Sequence, residues 1–340
     1  MKKKLLALTL AALMALSLAA CGGTDDTADT GDTGTESTET ESTETGSSGE
    51  TYTVGIIQQM QHVALDAATE GFQDALTELL GDQVKFNLQN ASGDPANCAT
   101  IVGSFVSSDV NLIMANGTTA LQSAAAATTT IPILGTSITE YGVALGIDGF
   151  AGTTGMNVSG TSDLAPLNQQ AAMLQEWFPD AETVGLLYCS GEPNSLYQVE
   201  TVQGYLEEMG YTCTAYSFAD SNDLSAVATT ACAESDVVYV PTDNTAATNA
   251  ELIGNIALSS ATPIIAGEEG ICAGCGVATL TISYYDIGYK TGEMAYEILV
   301  NGADPAEMEI AYAPQFTPKY NAEMCDALGL TPPEGYEAIA

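Results

Sequence analysis

From residue 52 onward, short apolar runs alternate with longer segments in which apolar residues recur every three or four positions. In the first half the apolar runs, which predict strands, lie at 54–57, 84–88, 110–115, 131–134 and 143–147. Between the first two runs, the apolar residues from Leu65 to Leu79 recur at helical spacing. Strands that alternate with helices of this length predict a parallel sheet covered by helices on both faces.

The same alternation begins again in the second half of the chain. Amphipathic helices are predicted at 164–178, 196–209 and 286–300, and strands at 184–188, 211–218, 237–240, 263–266 and 277–282. The pattern therefore predicts an α/β fold of two Rossmann-like lobes with parallel sheets, joined near residues 156–161. Ligands of open parallel sheets bind at the carboxyl ends of the strands, so two facing lobes predict a cleft between them.

The N-terminus has a different pattern. Three lysines at positions 2–4 precede an apolar stretch at 5–18 that is too short to span a bilayer comfortably, and small residues lead to Cys21. Residues 1–21 resemble the signal peptide and lipobox of bacterial lipoproteins. The resemblance implies an acylated Cys21 on the outer face of the cytoplasmic membrane; an uncleaved membrane anchor is the alternative. Residues 22–50 are nearly all Thr, Ser, Gly, Asp and Glu, which predicts a disordered linker.

The charge balance excludes several classes of function. The chain has 44 acidic residues against 6 lysines and a net charge of −38, which argues against binding to nucleic acid. It contains no arginine, so an anionic ligand group would have to rest on backbone N–H groups, hydroxyls and helix N-termini. Only one histidine is present, and no nucleophile elbow, phosphate-binding loop or zinc-protease motif occurs, so we predict no enzyme activity and no cofactor.

Polar residues that follow the predicted strands are the candidates for binding a ligand. Asp243 and Asn244 end a strand and suit either a helix N-cap or a contact with a ligand amine. Thr118 and Thr119 begin a predicted helix whose N–H groups suit a carboxylate, and Ser137 and Ser195 are expected to help them.

Further candidates lie in the neighbouring loops. Gln58 and His62 follow the first strand, although a single loop histidine is more often solvated than functional. Glu192, Asn194 and Glu269 are polar loop residues that suit either the surface or the cleft. Tyr284 suits either stacking on a planar ligand or packing in a hinge.

The cysteines give little support to a metal or redox site. Cys272 and Cys275 form an isolated pair with two intervening residues, whereas a structural zinc site needs four ligands. Apart from Cys21 there are seven cysteines, an odd number that cannot all form disulfides within the chain. We therefore predict no metal site.

Several stretches of the chain resemble one family of proteins. They are QQMQH at 58–62 followed by ALDAA at 64–68 and EGF at 70–72, NVSGTSD at 157–163, GEPNS at 191–195, YVPTDNT at 239–245 and YYDIGYKTGEMA at 284–295. They resemble the substrate-binding lipoproteins of ABC transporters, in particular the tryptophan/tyrosine-type binding proteins. The likeness extends in order from residue 51 to 333. The chain departs from the family pattern at 117–119, at 139–141 and in the cysteine-containing loop at 268–275.

The resemblance implies a type I periplasmic-binding-protein fold with three crossings between the lobes, that is, a multi-strand hinge. On that basis residues 52–159 and 284–308 are expected to form lobe 1, and residues 160–283 and 309–340 to form lobe 2. The resemblance also favours a place in the cleft for Asp243.

The expected function is that of an extracytoplasmic lipoprotein that serves an ABC importer. It would capture a small solute, an aromatic or other amino acid, by hinge closure and pass it to the permease as a monomer that touches the membrane only through its lipid. One alternative is a lipoprotein that presents a solute to a receptor. Others are a surface redox enzyme that uses Cys272 and Cys275, and a structural or adhesive protein.

Overall fold

A computed structural model describes residues 51–339 of the chain. The strands are β1 (Tyr52–Gln58), β2 (Val84–Asn90), β3 (Leu112–Asn116), β4 (Ile133–Ile138), β5 (Val158–Ser162), β6 (Thr183–Cys189), β7 (Thr212–Phe218), β8 (Val237–Val240), β9 (Ile264–Ala266), β10 (Ala278–Thr281), β11 (Ala311–Tyr312), β12 (Thr317–Tyr320) and β13 (Glu337–Ala338). The helices are α1 (Val63–Leu80), α2 (Pro95–Ser107), α3 (Thr118–Ala127), α4 (Tyr141–Leu145), α5 (Leu167–Trp177), α6 (Pro193–Glu208), α7 (Leu224–Glu234), α8 (Asn244–Thr248), α9 (Ala250–Ser260), α10 (Glu269–Cys275), α11 (Tyr284–Leu299) and α12 (Ala322–Leu328).

The strands form two separate sheets. The first has the order β11-β5-β4-β3-β1-β2, and all of its neighbouring strands are parallel. The second has the order β13-β12-β10-β9-β8-β6-β7 and is parallel except where β12 runs antiparallel to β10. The central strands β3 and β8 are buried along their whole length, as expected for sheets covered on both faces. The predicted α/β architecture of two parallel sheets is confirmed.

The chain passes between the two sheets three times. It leaves the first sheet after β5, returns after β10 to form α11, and leaves again between β11 and β12. Helix α11 lies directly against α1, and a Cβ atom added at Gly288 would clash with the carbonyl oxygen of Ala68. Glycine is therefore required there for the two helix backbones to meet, which holds α11 on the first lobe.

Two details differ from the sequence prediction. The apolar run at 143–147, predicted as a strand, belongs mainly to helix α4, because Glu140 caps that helix by accepting from the Val143 amide and Gly146 ends it in the left-handed conformation. The fifth strand of the first sheet is instead β5, which the prediction treated as the junction between lobes. The expected boundary between residues 159 and 160 therefore falls inside a strand of lobe 1, and residues 311–312, expected in lobe 2, pair with β5.

Candidate functional site

The loops that follow strands β1 and β8 meet across the gap between the lobes. His62 Nε2 lies 3.1 Å from Asn244 Oδ1, and the Thr248 hydroxyl donates to the sulfur of Met60 over 3.1 Å. His62 and Met60 belong to lobe 1, whereas Asn244 and Thr248 belong to lobe 2. The two lobes therefore touch at this rim, and the carboxyl ends of their strands face each other as predicted.

Two cavities open between the lobes. One of about 710 Å³ lies next to the rim contacts, between the loops after β1 and β2 and the loops after β6, β7 and β8. Another of about 490 Å³ lies nearer the hinge, between the first turns of α1 and α10 and beside Tyr284. The contact between α1 and α10 also crosses from lobe 1 to lobe 2. Both cavities are therefore bounded by groups from both lobes.

Buried polar atoms without a hydrogen-bond partner collect around the strand ends that border the cleft. They are Asn116 Oδ1, Ser137 Oγ, Asp163 Oδ1 and Asn194 Oδ1, together with Trp177 Nε1 and Thr279 Oγ1 elsewhere. Folded proteins leave few such atoms unpaired, because each forfeits its hydrogen bonds to water. Asn116 ends β3, Ser137 lies near the end of β4, Asp163 follows β5 and Asn194 lies in the first turn of α6. Four of the six unpaired atoms therefore lie at the carboxyl ends of strands or in the first turn of the helix that follows.

The backbone is strained at Ser137. This residue has a φ of +56°, and the pairing of β4 with β5 shifts register between Gly135 and Ile138. A left-handed conformation is unfavourable for serine, and such strain is found preferentially at functional sites. The irregularity and the unpaired hydroxyl of Ser137 occur together at the carboxyl end of the strand. A ligand contact at Ser137 stays a prediction.

The start of α3 is partly occupied by the protein itself. The Thr119 amide donates to Gln59 Oε1 over 2.8 Å, and Thr118 is buried in the first turn. Gln59, which sequence reasoning did not select, therefore uses one of the N–H groups predicted to hold a carboxylate. Gly117, with a φ of +104°, lies against the Gln59 side chain and leaves no room for a Cβ atom.

Gln58 has a structural role in the fold. Its amide nitrogen donates to the Met60 carbonyl and to Asp66, and its oxygen accepts from the Thr69 hydroxyl over 2.8 Å. All of these contacts lie within lobe 1. Gln58 therefore fixes the loop after β1 and the first turns of α1.

Asp243 caps helix α8. One carboxylate oxygen accepts from the Ala246 amide over 2.8 Å and the other from the Cys189 amide over 2.7 Å. Burial, reinforced by the nearby charge of Glu192, raises the pKa of Asp243 to about 7. The helix-capping alternative accounts for these contacts, so the predicted pairing of Asp243 with a ligand amine is not needed to explain its position.

Glu192 also serves the start of α8. Its carboxylate accepts from the amides of Asn244 and Thr245 over 3.0 and 2.9 Å, and from the Asn244 side-chain nitrogen over 2.7 Å. Asn194 donates to the Thr242 carbonyl and to Ser195, whose hydroxyl lies close enough to Asp243 to lower the pKa of that carboxyl. With two carboxylates beside it, Ser195 is poorly placed to hold a ligand anion as predicted.

His62 is set in one tautomer by this cluster. Because Asn244 donates its Nδ2 hydrogen to Glu192, its Oδ1 must face His62 as an acceptor, so His62 carries hydrogen on Nε2. Burial lowers the pKa of His62, although the Asn244 hydrogen bond and the charges of Glu192 and Asp66 oppose that shift. His62 therefore lies at the interlobe rim and is not simply solvated.

The hinge end of the cleft holds residues that sequence reasoning missed. The Tyr284 hydroxyl donates to Asp163 Oδ2 over 3.0 Å, and Tyr284 packs in a small apolar cluster with Ala64 and Ile282. Burial raises the pKa of Asp163 to about 6, and it raises the pKa of the nearby Glu268 to about 7. Tyr284 thus takes the hinge position that was one of its two interpretations. Asp163 could have been found as the acidic residue that ends the recognised stretch 157–163.

Glu269 lies at the mouth of the smaller cavity. Its carboxylate accepts from the Lys319 ammonium at 2.7 and 2.8 Å, with both side chains partly exposed. This ion pair joins the start of α10 to β12 within lobe 2. Glu269 is therefore already paired with a cation of the protein.

Cys272 and Cys275 are fully buried in α10. They and the other five cysteines of the described region are free thiols. Burial raises the pKa of both thiols well above the usual range, which leaves little thiolate for redox chemistry.

Between residues 51 and 339, no three Cys, His, Asp or Glu side chains are grouped to hold a metal ion. No helix in that region is long and apolar enough to cross a membrane. The predicted lipid attachment at Cys21 lies outside the described residues.

Comparison with known proteins gives consistent matches. The family model described as ABC transporter substrate binding protein matches residues 53–339. The tyrosine-binding protein of Clostridioides difficile strain R20291 is 34% identical over 249 residues, which are 72% of each chain.

Solved structures extend the comparison. The ABC domain from Streptococcus pneumonia in complex with L-Trp is 30% identical with a TM-score of 0.81, over 85% of this chain and 100% of that one. The ligand-free, open structure of a substrate-binding protein with adhesive properties from Clostridium difficile is 33% identical with a TM-score of 0.66, over 85% and 99% of the two chains.

Proposed function

The chain belongs to the family of ABC transporter substrate-binding proteins, which are not enzymes, and we propose that it captures an aromatic amino acid between its two lobes and delivers it to an importer. Acylation of Cys21 would hold the protein outside the cytoplasm, and residues 22–50 would tether the folded lobes to the membrane. The protein would act as a monomer and meet the permease in the form that has closed over its solute.

The unpaired buried polar atoms around the cleft carry this proposal. Asn116, Ser137 and Asp163 lie at the carboxyl ends of strands in the first sheet, and Asn194 lies in the first turn of α6 in the second lobe. A small solute with several hydrogen-bonding groups would satisfy atoms on both lobes at once. Such a solute binds the closed form better than the open form, and this differential affinity drives closure.

An α-amino acid suits the polarity of these groups. With no arginine in the chain, the carboxylate of the solute would rest on the Ser137 hydroxyl and the first turn of α3 at Thr118. Ser195 lies beside Asp243 and Glu192, so we do not include it in the anion contact. Tyrosine and tryptophan are the first candidates because relatives at 34% and 30% identity bind them.

The arrangement of the lobes supports hinge closure. At similar sequence identity, the structure is closer to the tryptophan complex, with a TM-score of 0.81, than to the open ligand-free relative, with a TM-score of 0.66. The His62–Asn244 contact at the rim fits the same arrangement, since it joins side chains of opposite lobes.

Isothermal titration against the common amino acids and a set of nucleosides and sugars tests the proposal. We expect saturable binding of one or more aromatic amino acids. Ser137→Ala should weaken that binding by about tenfold, because one hydrogen bond to a charged group is lost. Ser107→Ala, on the exposed side of α2, serves as the matched control and should bind like the wild type. If no amino acid binds while sugars or nucleosides do, the proposed solute class is wrong.

A further inference from the structure

The hinge end of the cleft holds two buried carboxylates that no cation of the described chain neutralises. Asp163 is 5% exposed and Glu268 is 3% exposed. Within residues 51–339, Lys290 pairs with Glu293, Lys319 pairs with Glu269, and Lys85 is exposed on β2. A buried carboxylate without a cation is unfavourable unless hydrogen bonds or a ligand stabilise its charge.

The two carboxylates differ in how far the protein satisfies them. Glu268 caps α10, and its two oxygens accept from the amides of Gly270 and Ile271. Asp163 accepts the Tyr284 hydroxyl on Oδ2, and the Thr139 hydroxyl lies close enough to lower the pKa of the carboxyl. No hydrogen bond of good geometry reaches its buried Oδ1. Of the four carboxylate oxygens, Asp163 Oδ1 is therefore the one that lacks a well-aligned hydrogen-bond donor.

A second unpaired group lies on the adjacent strand. The Asp163 amide donates to the Ile138 carbonyl over 3.2 Å, and Ile138 directly follows Ser137, whose hydroxyl is buried and unpaired. An ionised carboxylate can only accept hydrogen bonds, whereas a hydroxyl can donate one to an anion. Neighbouring positions of β4 and β5 thus offer one site for a cation and one for an anion.

We propose that Asp163 Oδ1 receives the α-ammonium group of the solute, beside a carboxylate that lies on Ser137. This inference rests on the proposed function and assigns the solute class as α-amino acids with a free primary amine. Tyr284 acts as a positioning residue: by holding Oδ2, it leaves Oδ1 for the solute.

Other occupants of this position fit less well. A neutral hydroxyl donor, such as that of a sugar, would leave the charge of Asp163 uncompensated in a buried site. A metal ion would need several oxygen ligands, and the described residues contain no suitable group of three acidic, histidine or cysteine side chains. An ammonium group supplies both the positive charge and the hydrogen-bond donors.

The test compares each amino acid with the same molecule lacking its amine. L-tyrosine is paired with desaminotyrosine and L-tryptophan with indolepropionic acid, and each affinity is measured by titration calorimetry. Wild-type protein should prefer the amino acid by about a hundredfold, the usual effect of removing one partner of a buried charge pair. Asp163→Asn should reduce that preference to within about tenfold, mainly through weaker binding of the amino acid.

Asp236→Asn is the matched control. Asp236 accepts from the amides of Glu182 and Thr183 at the amino end of β6, which is the end away from the cleft. This variant should keep the wild-type preference for the amine.

Two outcomes would overturn the inference in distinguishable ways. If wild-type protein binds an amino acid but Asp163→Asn keeps the full preference for the amine, the inference is wrong and the proposed function stands. If wild-type protein binds no amino acid at all, both are wrong.

A pH series on wild-type protein covers the case in which Asp163→Asn does not fold. The groups that face Asp163 are the hydroxyls of Tyr284, Thr139 and Tyr141 and the carboxyl of Glu268. Of these, only Glu268 titrates with Asp163 near neutral pH. Affinity for the amino acid should fall as the pH decreases through about 6, the pKa of Asp163, while affinity for the desamino acid stays level or rises. Parallel curves for the two solutes would contradict the inference.

Discussion

At the scale of single residues, the buried carboxylates differ in how far the protein supplies them with hydrogen-bond donors. The sequence analysis selected Asp243 because it ends a strand in a recognised motif, yet its oxygens accept hydrogen bonds from the Cys189 and Ala246 amides. It did not select Asp163, because the strand that precedes it, β5, was not predicted and burial cannot be read from the sequence. The difference depends on burial and on Tyr284, which is 121 positions away in the chain. Single-sequence patterns do not contain contacts of that range.

The raised pKa of Asp163 predicts a trade-off between function and stability. Burial moves this pKa from 3.8 to about 6, so ionisation of Asp163 costs the ligand-free fold on the order of 3 kcal/mol above that range. Because the folded pKa is above the unfolded one, this cost is absent at low pH and develops as the pH rises from about 4 to 6. Asp163→Asn keeps an acceptor for Tyr284 and should raise the melting temperature of ligand-free protein at pH ~7.5, but not at pH ~4.

Thermal unfolding with and without solute measures this effect. Solute should stabilise wild-type protein more than the variant, because the wild-type carboxylate gains its partner. A lower melting temperature for ligand-free Asp163→Asn at both pH values would show instead that the carboxylate supports the fold.

At the scale of elements, the hydrophobic pattern predicted strands β1 to β4 and β6 to β10 and helices α1, α5, α6 and α11, but it gave no bounds for helices α2, α7 and α9. It failed at 143–147, where a short apolar run fits a buried strand and a buried helix equally well. Capping decided the outcome there, since the Glu140 carboxylate caps the start of α4 and Gly146 ends the helix. It also missed β5, because its sequence, VSGTS, contains a single large apolar residue.

The contact between the starts of α1 and α8 predicts a kinetic effect. His62 and Asn244 meet only when the lobes are together, so their hydrogen bond should slow release of the solute. Either His62→Ala or Asn244→Ala should raise the dissociation rate by about tenfold, consistent with one lost hydrogen bond. The double variant should release solute little faster than the single variants, because both substitutions remove the same interaction.

Stopped-flow measurement of solute release gives these rates. Asn255→Ala, on the exposed side of α9, is the control and should leave the rate unchanged. Additive effects of the His62 and Asn244 substitutions would mean that the two side chains act separately.

At the scale of the whole molecule, each lobe has its own hydrophobic cores, whereas few buried apolar residues pack at the hinge. Separate apolar clusters fill the two lobes, whereas the cluster at the crossings contains only five buried residues, Ala64, Ala68, Ile282, Tyr284 and Ile287. Two well-packed bodies joined by three thin crossings can rotate relative to each other without disturbing their cores. The alternation of strands and helices predicted the two lobes, but the crossings came only from the family resemblance.

Small-angle X-ray scattering of the protein with and without the amino acid selected by titration tests the central claim most directly. We expect saturating solute to lower the radius of gyration, because binding draws the lobes together, and a non-binding amino acid to leave it unchanged. Scattering curves that superimpose with and without bound solute would contradict the claim that this protein closes over what it binds.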